Sequence, residues 1–139
     1  MAEIKKAQVK DIIKDTPTIL DIGSSLMKVA EAIAKDPNHI VVIAEKGVPK
    51  GVLTDADIVA WVKDKAKGNV DLSKVTAADL NPKPMINILG ISNLDDAIGV
   101  FTTTGVNKLL VKNPEGNVIG ILTKMRAIDY IRQQQIKKL

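Results

Sequence analysis

A threonine and an aspartate three positions apart, Thr54 and Asp57, carry side chains that can form hydrogen bonds. A carboxylate accepts hydrogen bonds, and its charge makes those bonds stronger. The same spacing is that of a capping box, in which two side chains satisfy backbone N–H groups at the start of a helix. An aspartate in the first helical turn is stabilising without any ligand. The residues alone therefore leave two roles open, a helix cap and part of a binding site.

Composition excludes several kinds of catalytic chemistry. The chain has no cysteine and a single histidine, His39, which rules out thiol nucleophiles, iron–sulfur clusters and ordinary structural zinc sites. No G-x-S-x-G motif surrounds Ser24 or Ser25, and neither G-x-x-x-x-G-K-[ST] nor G-x-G-x-x-G is present. We therefore predict a protein that is not an enzyme and that has no catalytic residues, no metal site and no cofactor.

Length and composition indicate a soluble globular protein. Its 139 residues suit one ordinary domain or two very small ones, and 45% hydrophobic with 26% charged residues can form a core. No apolar run approaches the roughly 20 residues that span a bilayer. The first residues lack the pattern of a signal peptide, so we expect a cytoplasmic protein with no membrane contact. The net charge of +4 favours anionic partners without choosing among nucleotides, nucleic acid and acidic proteins.

The sequence contains an internal duplication. Asn38–Thr54 recurs as Asn107–Thr123, a shift of 69 residues. The identical positions in this stretch include two glycines and the closing threonine: Asn38/Asn107, Val42/Val111, Gly47/Gly116, Gly51/Gly120, Leu53/Leu122 and Thr54/Thr123. Upstream the shift is 67, as between Pro17 and Pro84, so one loop differs in length by two residues. Identities on both sides of a single insertion indicate a tandem repeat.

Each copy predicts the order strand, helix, strand, strand, helix. A short extended run after a proline forms the first strand, and Ser25 and Ser92 are expected to cap the helices that follow. Two further apolar runs form a hairpin through a glycine-containing turn. Thr54 and Thr123 then precede the second helix of each copy.

Roughly 60 residues per copy are too few to bury a large core alone, so we expect the two copies to share one. The predicted fold class is α+β, with two tandem repeats packed sheet to sheet with pseudo-twofold symmetry and a cleft between them. The first repeat with its N-terminal segment is expected at residues 1–66, a polar linker at 67–74 and the second repeat at 75–139.

The duplicated pattern resembles the CBS domain pair, or Bateman module, over nearly the whole chain. The resemblance is carried by Gly51–Ile58 and Gly120–Ala127, which look like the family's signature of glycine, an apolar residue, any residue, Ser or Thr, two further residues and Asp. The chain is similar to the stand-alone CBS proteins of archaea and bacteria. The resemblance implies that AMP, ADP, ATP or S-adenosylmethionine binds in the cleft between the repeats, and that the chain forms disk-shaped homodimers.

The resemblance also implies roles for individual residues. Asp57 would accept hydrogen bonds from both ribose hydroxyls, with Thr54 at the mouth of a helix whose N-terminus favours phosphate. Adenine would lie in an apolar slot formed at positions near Thr16, Thr18, Ile19 and Val41. Polar or basic residues before the middle strand would reach the phosphates, and these are Asn38, His39, Asn107 and Lys108.

The second copy departs from the signature, because Arg126 stands where the aspartate is expected, three residues after Thr123. An arginine cannot accept a hydrogen bond from ribose. Either Arg126 and Lys124 neutralise the phosphates of a ligand, or Arg126 is solvated or paired with a carboxylate such as Asp129 and the second site binds nothing. We therefore predict one competent site, or two unequal ones.

The leading hypothesis is a non-enzymatic regulatory module that senses an adenine nucleotide or S-adenosylmethionine. Ligand binding would shift the arrangement of the repeats or of a homodimer, and a separate protein partner would read the change. The alternative is a basic interaction module that binds nucleic acid or a partner protein and keeps only a vestigial nucleotide site. Steeply salt-dependent binding to DNA or RNA would favour this alternative.

Overall fold

The structure is a computed structural model that describes residues 2–65 and 68–137. Contacts within it divide the chain into two compact units. The first-repeat unit comprises Pro17–Met85, and the second-repeat unit comprises the segment up to Thr16 together with the chain from Ile86 onward. Within the described ranges, no helix combines the length and the apolar character needed to cross a membrane.

Helices and strands follow one another in the same order in both copies. In chain order the elements are α1 (Ala2–Lys5), α2 (Val9–Ile12), β1 (Thr18–Asp21), α3 (Leu26–Lys35), β2 (Ile40–Glu45), β3 (Val48–Thr54), α4 (Asp55–Lys65), two short 3₁₀ helices (Leu72–Lys74 and Ala77–Leu80), β4 (Asn87–Leu89), α5 (Leu94–Thr104), β5 (Lys108–Lys112), β6 (Val118–Thr123) and α6 (Lys124–Lys137). The predicted α+β class and the order strand, helix, strand, strand, helix in each repeat are confirmed.

The first-repeat unit is built on a three-stranded sheet in the order β1-β2-β3. β1 runs parallel to β2, and β2 runs antiparallel to β3. The middle strand is buried from Ile40 to Ala44, as its run of apolar residues requires. α3 packs its apolar face, including Leu26 and Ile33, into the same core. The Ser25 hydroxyl accepts a hydrogen bond from the Lys28 N–H at 3.2 Å, which confirms Ser25 as the cap.

The second-repeat unit repeats this sheet in β4, β5 and β6, but the prediction that Ser92 caps α5 is wrong. The cap is Asn93, whose side-chain oxygen accepts a hydrogen bond from the Asp96 N–H at 2.9 Å. The Asp96 carboxylate accepts one from the Asn93 N–H at 3.3 Å. This capping box satisfies two backbone donors at once. The Ser92 carbonyl accepts a hydrogen bond from the Val9 N–H at 2.8 Å.

The N-terminal segment belongs to the second-repeat unit, although it precedes the first repeat in the chain. It runs beside the start of α5, where the Lys10 N–H donates to the Gly90 carbonyl at 2.8 Å and the Leu94 N–H donates to the Ala7 carbonyl at 2.8 Å. Ile12 is fully buried in the same hydrophobic cluster as residues of α5, β5 and β6. This segment is therefore part of a core whose other residues come much later in the chain.

The residues directly after the predicted linker pack with the first repeat, although they were predicted to open the second repeat. Val75, which opens this stretch, is buried in the core of the first-repeat unit. The predicted division at 1–66, 67–74 and 75–139 differs from the compact units at both places, because residues up to 16 pack with the second repeat and residues 75–85 pack with the first. The predicted bounds at 1, 66, 67 and 139 lie outside the described residues.

Gly51 provides the space for one of these exchanged segments. The Val52 N–H donates to the Lys83 carbonyl at 2.8 Å, and the Lys83 N–H donates back to the Val52 carbonyl at 3.0 Å. A Cβ atom on Gly51 would lie 2.8 Å from the same Lys83 oxygen. At the equivalent position, a Cβ atom on Gly120 would lie 3.1 Å from the Asp15 carbonyl. The glycine is repeated because a second backbone passes close to each of these positions.

Replacing Gly51 with alanine is expected to lower the free energy of unfolding by about 1–3 kcal/mol, the usual cost of an added methyl group in a packed site. The matched control is Gly99→Ala on α5, where the added Cβ atom would meet no neighbouring atom within 4 Å. That change should raise the stability by about 0.5–1 kcal/mol, because alanine favours a helix more than glycine does. Urea unfolding measures both values, and a Gly51→Ala protein of natural stability would contradict the close backbone approach.

Candidate ligand-binding site

Thr54 and Asp57 are joined by three hydrogen bonds where β3 ends and α4 begins. The Thr54 N–H and hydroxyl both donate to the Asp57 Oδ2 atom, at 2.9 and 3.1 Å. The Asp57 N–H donates to the Thr54 hydroxyl oxygen at 3.3 Å. These bonds are those of a capping box, so the helix-cap role foreseen for this pair is present. They also fix the direction of the Asp57 carboxylate.

The second oxygen of the Asp57 carboxylate faces a lysine. Oδ1 lies 3.4 Å from the Lys83 Nζ atom, and Lys83 is the single ion-pair partner that this carboxylate has among the described residues. The Asp57 side chain is 15% exposed, whereas the Lys83 side chain is 70% exposed. One carboxylate oxygen is therefore committed to the cap, and the other contacts a cation that solvent reaches.

Three of the residues predicted to contact adenine lie at the same end of the sheet as Thr54. Ile40 pairs with Thr54 where β2 begins and β3 ends. Val41 pairs with Thr18 at the start of β1. Ile19 follows Thr18 and is 47% exposed, whereas Val41 is fully buried. The exposed apolar side chain of Ile19 and the threonines Thr18 and Thr54 therefore lie at the end of the sheet where α4 begins.

Asn38 and His39 directly precede β2, so they also lie at this end of the sheet. The Asn38 N–H donates to the Asp36 carboxylate at 2.9 Å. His39 has a positive φ of 54°, and its Nδ1 atom lies 3.3 Å from the Ile33 carbonyl. Asp36 is buried. The structure therefore gives these two residues roles in shaping the loop and leaves their predicted contact with phosphate a prediction.

Thr16 belongs to the second-repeat unit, whereas Thr18, Ile19 and Val41, the other residues predicted to contact adenine, belong to the first-repeat unit. The Thr16 hydroxyl donates to the Ile119 carbonyl on β6 at 3.3 Å. In the first-repeat unit, Lys83 makes the backbone contact that Asp15 makes in the second: the Val52 N–H donates to the Lys83 carbonyl, and the Ile121 N–H donates to the Asp15 carbonyl. The prediction grouped Thr16 with the other three residues by their order in the chain. Each segment that precedes a repeat packs instead with the other repeat. Lys83 was missed for this reason, and Gly51, repeated as Gly120, is the signal in the sequence for the close backbone approach.

The second motif has its polar residues at the matching end of its own sheet. Thr123 pairs with Lys108 at the start of β5, and the Lys124 N–H donates to the Asn107 carbonyl at 2.8 Å. The Thr123 hydroxyl oxygen accepts a hydrogen bond from the Arg126 N–H at 2.9 Å. This is one of the two hydrogen bonds of a capping box. The other cannot form, because an arginine side chain has no acceptor for the Thr123 N–H.

Arg126 is held by two contacts within the second-repeat unit. Its Nε–H donates to the Ile12 carbonyl at 2.7 Å, and its Nη1–H donates to the Asp129 carboxylate at 3.2 Å. The side chain is 17% exposed. Of the alternatives considered for Arg126, pairing with Asp129 is the arrangement observed. The same side chain fastens the N-terminal segment to α6.

Asp129 is an acceptor for more than one arginine. The hydrogen bond from Arg132, measured at 2.8 Å, is the main cause that lowers the pKa of Asp129, and the positive charges of Arg132, Arg126 and Lys14 act in the same direction. A lowered pKa keeps the carboxylate ionised at neutral pH. Arg126 therefore has an ionised partner within its own unit.

Comparison with known proteins identifies the class to which this fold and motif belong. Residues 9–64 match the family model described as the CBS domain. The chain resembles CBSX2 in complex with AMP at 20% identity, with a TM-score of 0.71 over 93% of this chain and 98% of that one. It resembles the CBS domain of a bacterial CNNM/CorC family Mg²⁺ transporter in complex with ATP at 16% identity, with a TM-score of 0.73 over 94% and 91%.

A CBS domain protein of Pyrobaculum aerophilum complexed with AMP gives a similar result, with 20% identity and a TM-score of 0.68 over 86% of this chain and 88% of that one. The resemblance found in the sequence is thereby confirmed: residues 9–64 match the CBS domain, and the chain has the fold of solved CBS-domain proteins. A curated relative, an uncharacterized protein of Methanopyrus kandleri, is 26% identical over 114 residues. That alignment covers 82% of this chain and 55% of the relative, so the chain spans about half the length of that protein.

Proposed function

We propose that the chain is a non-enzymatic regulatory module that binds an adenosine-containing ligand, namely AMP, ADP, ATP or S-adenosylmethionine, at the Thr54–Asp57 motif. The observation that carries the proposal is the state of the Asp57 carboxylate. Thr54 holds Oδ2 and thereby aims the carboxylate, while Oδ1 is left to an exposed lysine. An oriented, largely buried carboxylate with one oxygen outside the cap suits a ribose hydroxyl.

The surroundings of the motif support the same class of ligand. α4 has 11 residues, and its N-terminus favours a negatively charged group such as phosphate. Ile19 supplies an exposed apolar surface near Thr18, which suits the flat face of a base. Structures of similar fold were solved with AMP and with ATP. Which of the four ligands is preferred is part of the test below.

We propose one competent site in each chain. Arg126 occupies the position of the aspartate in the second motif, and its guanidinium is already engaged by the Ile12 carbonyl and by Asp129. While these two contacts last, only the remaining N–H donors at Nη1 and Nη2 could reach the phosphates of a ligand. Ligand binding at the Thr54–Asp57 motif requires a smaller rearrangement, since the contact at Oδ1 is a single long ion pair.

Regulation requires that the ligand favour one state of the protein over another. We propose that this state is read by a partner protein and that the regulated form is a cytoplasmic homodimer. Apolar residues exposed on the second helices support a homodimer: Val59 and Val62 on α4, and Met125 and Ile128 on α6. Sedimentation velocity gives the oligomeric state directly, and a monomer at all concentrations would refute the homodimer.

Isothermal titration calorimetry with AMP, ADP, ATP and S-adenosylmethionine tests the proposed ligand class. The expected result is saturable binding of at least one of them near one ligand per chain, with weaker binding of its 2′-deoxy analogue because one hydroxyl is lost. Two ligands per chain would show that Arg126 does not disable the second motif. No heat with any of the four at two temperatures would overturn the proposal and favour the interaction-module alternative.

A further inference from the structure

Lys83 is fixed at its backbone, whereas its side chain is largely exposed. Both its N–H and its carbonyl are hydrogen-bonded to Val52, and prolines flank it on both sides at Pro82 and Pro84. The absence of a side chain at Gly51 allows this close pairing. The origin of the lysine side chain is therefore set relative to Asp57, whereas its 70% exposed stem can take other rotamers.

The contact between Lys83 and Asp57 is long for a hydrogen-bonded ion pair. The distance of 3.4 Å exceeds the usual range for charge-assisted N–H···O bonds, about 2.7–2.9 Å. Yet it occupies the one Asp57 oxygen that Thr54 does not use. A ribose hydroxyl that donates to Oδ1 must share that oxygen with the ammonium group or displace it.

We infer that Lys83 is an intramolecular competitor for Asp57 and sets how strongly the site binds an uncharged nucleoside. This inference rests on the proposed function of the Thr54–Asp57 motif. In the free protein the ammonium group neutralises the carboxylate, and a ribose that replaces it exposes the lysine charge again. A neutral ligand offers no compensating anion, so its affinity carries the full cost of the exchange. Lys83 therefore lowers the affinity of this site for a neutral ligand without contacting that ligand.

The size of the effect follows from the exposure of the lysine. Exposed ion pairs are weak because water and salt screen them. Removing the charge at position 83 is therefore expected to raise the affinity for adenosine about two- to five-fold. High ionic strength should raise the affinity of the natural protein toward that of the variant, because screening weakens the competing pair.

The experiment is a titration of the full chain with adenosine, followed by backbone amide resonances, for the natural protein and for Lys83→Met. Methionine keeps most of the stem and removes the charge, and an exposed position tolerates the change. Lys83→Arg keeps the charge and should bind adenosine no more tightly than the natural protein. Lys50→Met removes an exposed lysine elsewhere on β3 and controls for the change in net charge.

Tighter binding by Lys83→Met alone, with a smaller salt dependence than that of the natural protein, supports the competition. Equal or weaker binding by Lys83→Met, in a chain that does bind adenosine, overturns it and leaves the proposed function standing. No adenosine binding by either protein overturns the role of Lys83, whereas the calorimetric titrations with AMP, ADP, ATP and S-adenosylmethionine decide the proposed function separately.

Discussion

Replacing Ile12 with alanine is expected to destabilise the second-repeat unit by about 2–4 kcal/mol, within the range observed for buried Ile-to-Ala changes. Ile12 is fully buried and belongs to the cluster that includes Leu94, Phe101 and Leu122. The change removes methyl groups from that core and leaves a cavity. Because Ile12 precedes the first repeat in the chain, chain order would place the damage in the wrong unit.

Amide hydrogen exchange locates the damage residue by residue. In Ile12→Ala, protection should fall mainly in β5 and β6. The matched control is Ile33→Ala, since Ile33 is buried in the core of the first-repeat unit, and its loss of protection should centre on β2 and β3. A loss centred on β2 and β3 in Ile12→Ala would contradict the exchange of the N-terminal segment.

Replacing Asp57 with asparagine is expected to weaken the adenosine-containing ligand about ten- to hundred-fold. Hydrogen bonds to a charged group contribute about 1.5–3 kcal/mol, and the amide nitrogen that replaces one oxygen cannot accept a bond from ribose. The remaining amide oxygen can still accept the two bonds from Thr54. The free energy of unfolding should therefore fall by less than about 1 kcal/mol, the usual value of a charge in the first helical turn.

Asp55→Asn is the matched control for this change. Asp55 lies in the same helical turn, is exposed, and its carboxylate accepts a hydrogen bond from the adjacent Ala56 N–H at 2.9 Å. The control removes the same charge from the same end of α4, so it separates a general electrostatic effect from a contact made by Asp57. Calorimetric titration of both variants should show a large loss of affinity in Asp57→Asn alone. Equal losses in the two variants would count against Asp57 as a ligand contact.

Sequence patterns predicted the elements of each repeat because those patterns are local. The capping geometry of Thr54 and Asp57 follows from a spacing of three residues, and Ser25 caps α3 as expected. The error at Ser92 is also local. Asn93 with Asp96 forms a reciprocal cap, and a neighbouring polar residue competed with the serine for that position.

The exchange of the leading segments could not be read from local patterns. The hydrogen bonds between Lys83 and Val52 join positions distant in the chain, and nothing in the composition of either segment specifies its partner. The repeated glycine carried the only hint, since Gly51 faces the Lys83 backbone. This pairing places Lys83 beside Asp57. Because local patterns do not predict the pairing, Lys83 was not among the predicted site residues.

The central claim is that the Thr54–Asp57 motif binds an adenosine-containing ligand, and the most direct test is a titration of the natural chain with AMP, ADP, ATP and S-adenosylmethionine in turn, followed by its assigned amide resonances. We predict saturable shifts at Thr54 and Asp57 and at the strand starts near Thr18 and Val41, all of them requiring about ten- to hundred-fold more ligand in Asp57→Asn. No shifts, or shifts confined to Thr123–Arg126, would contradict the claim.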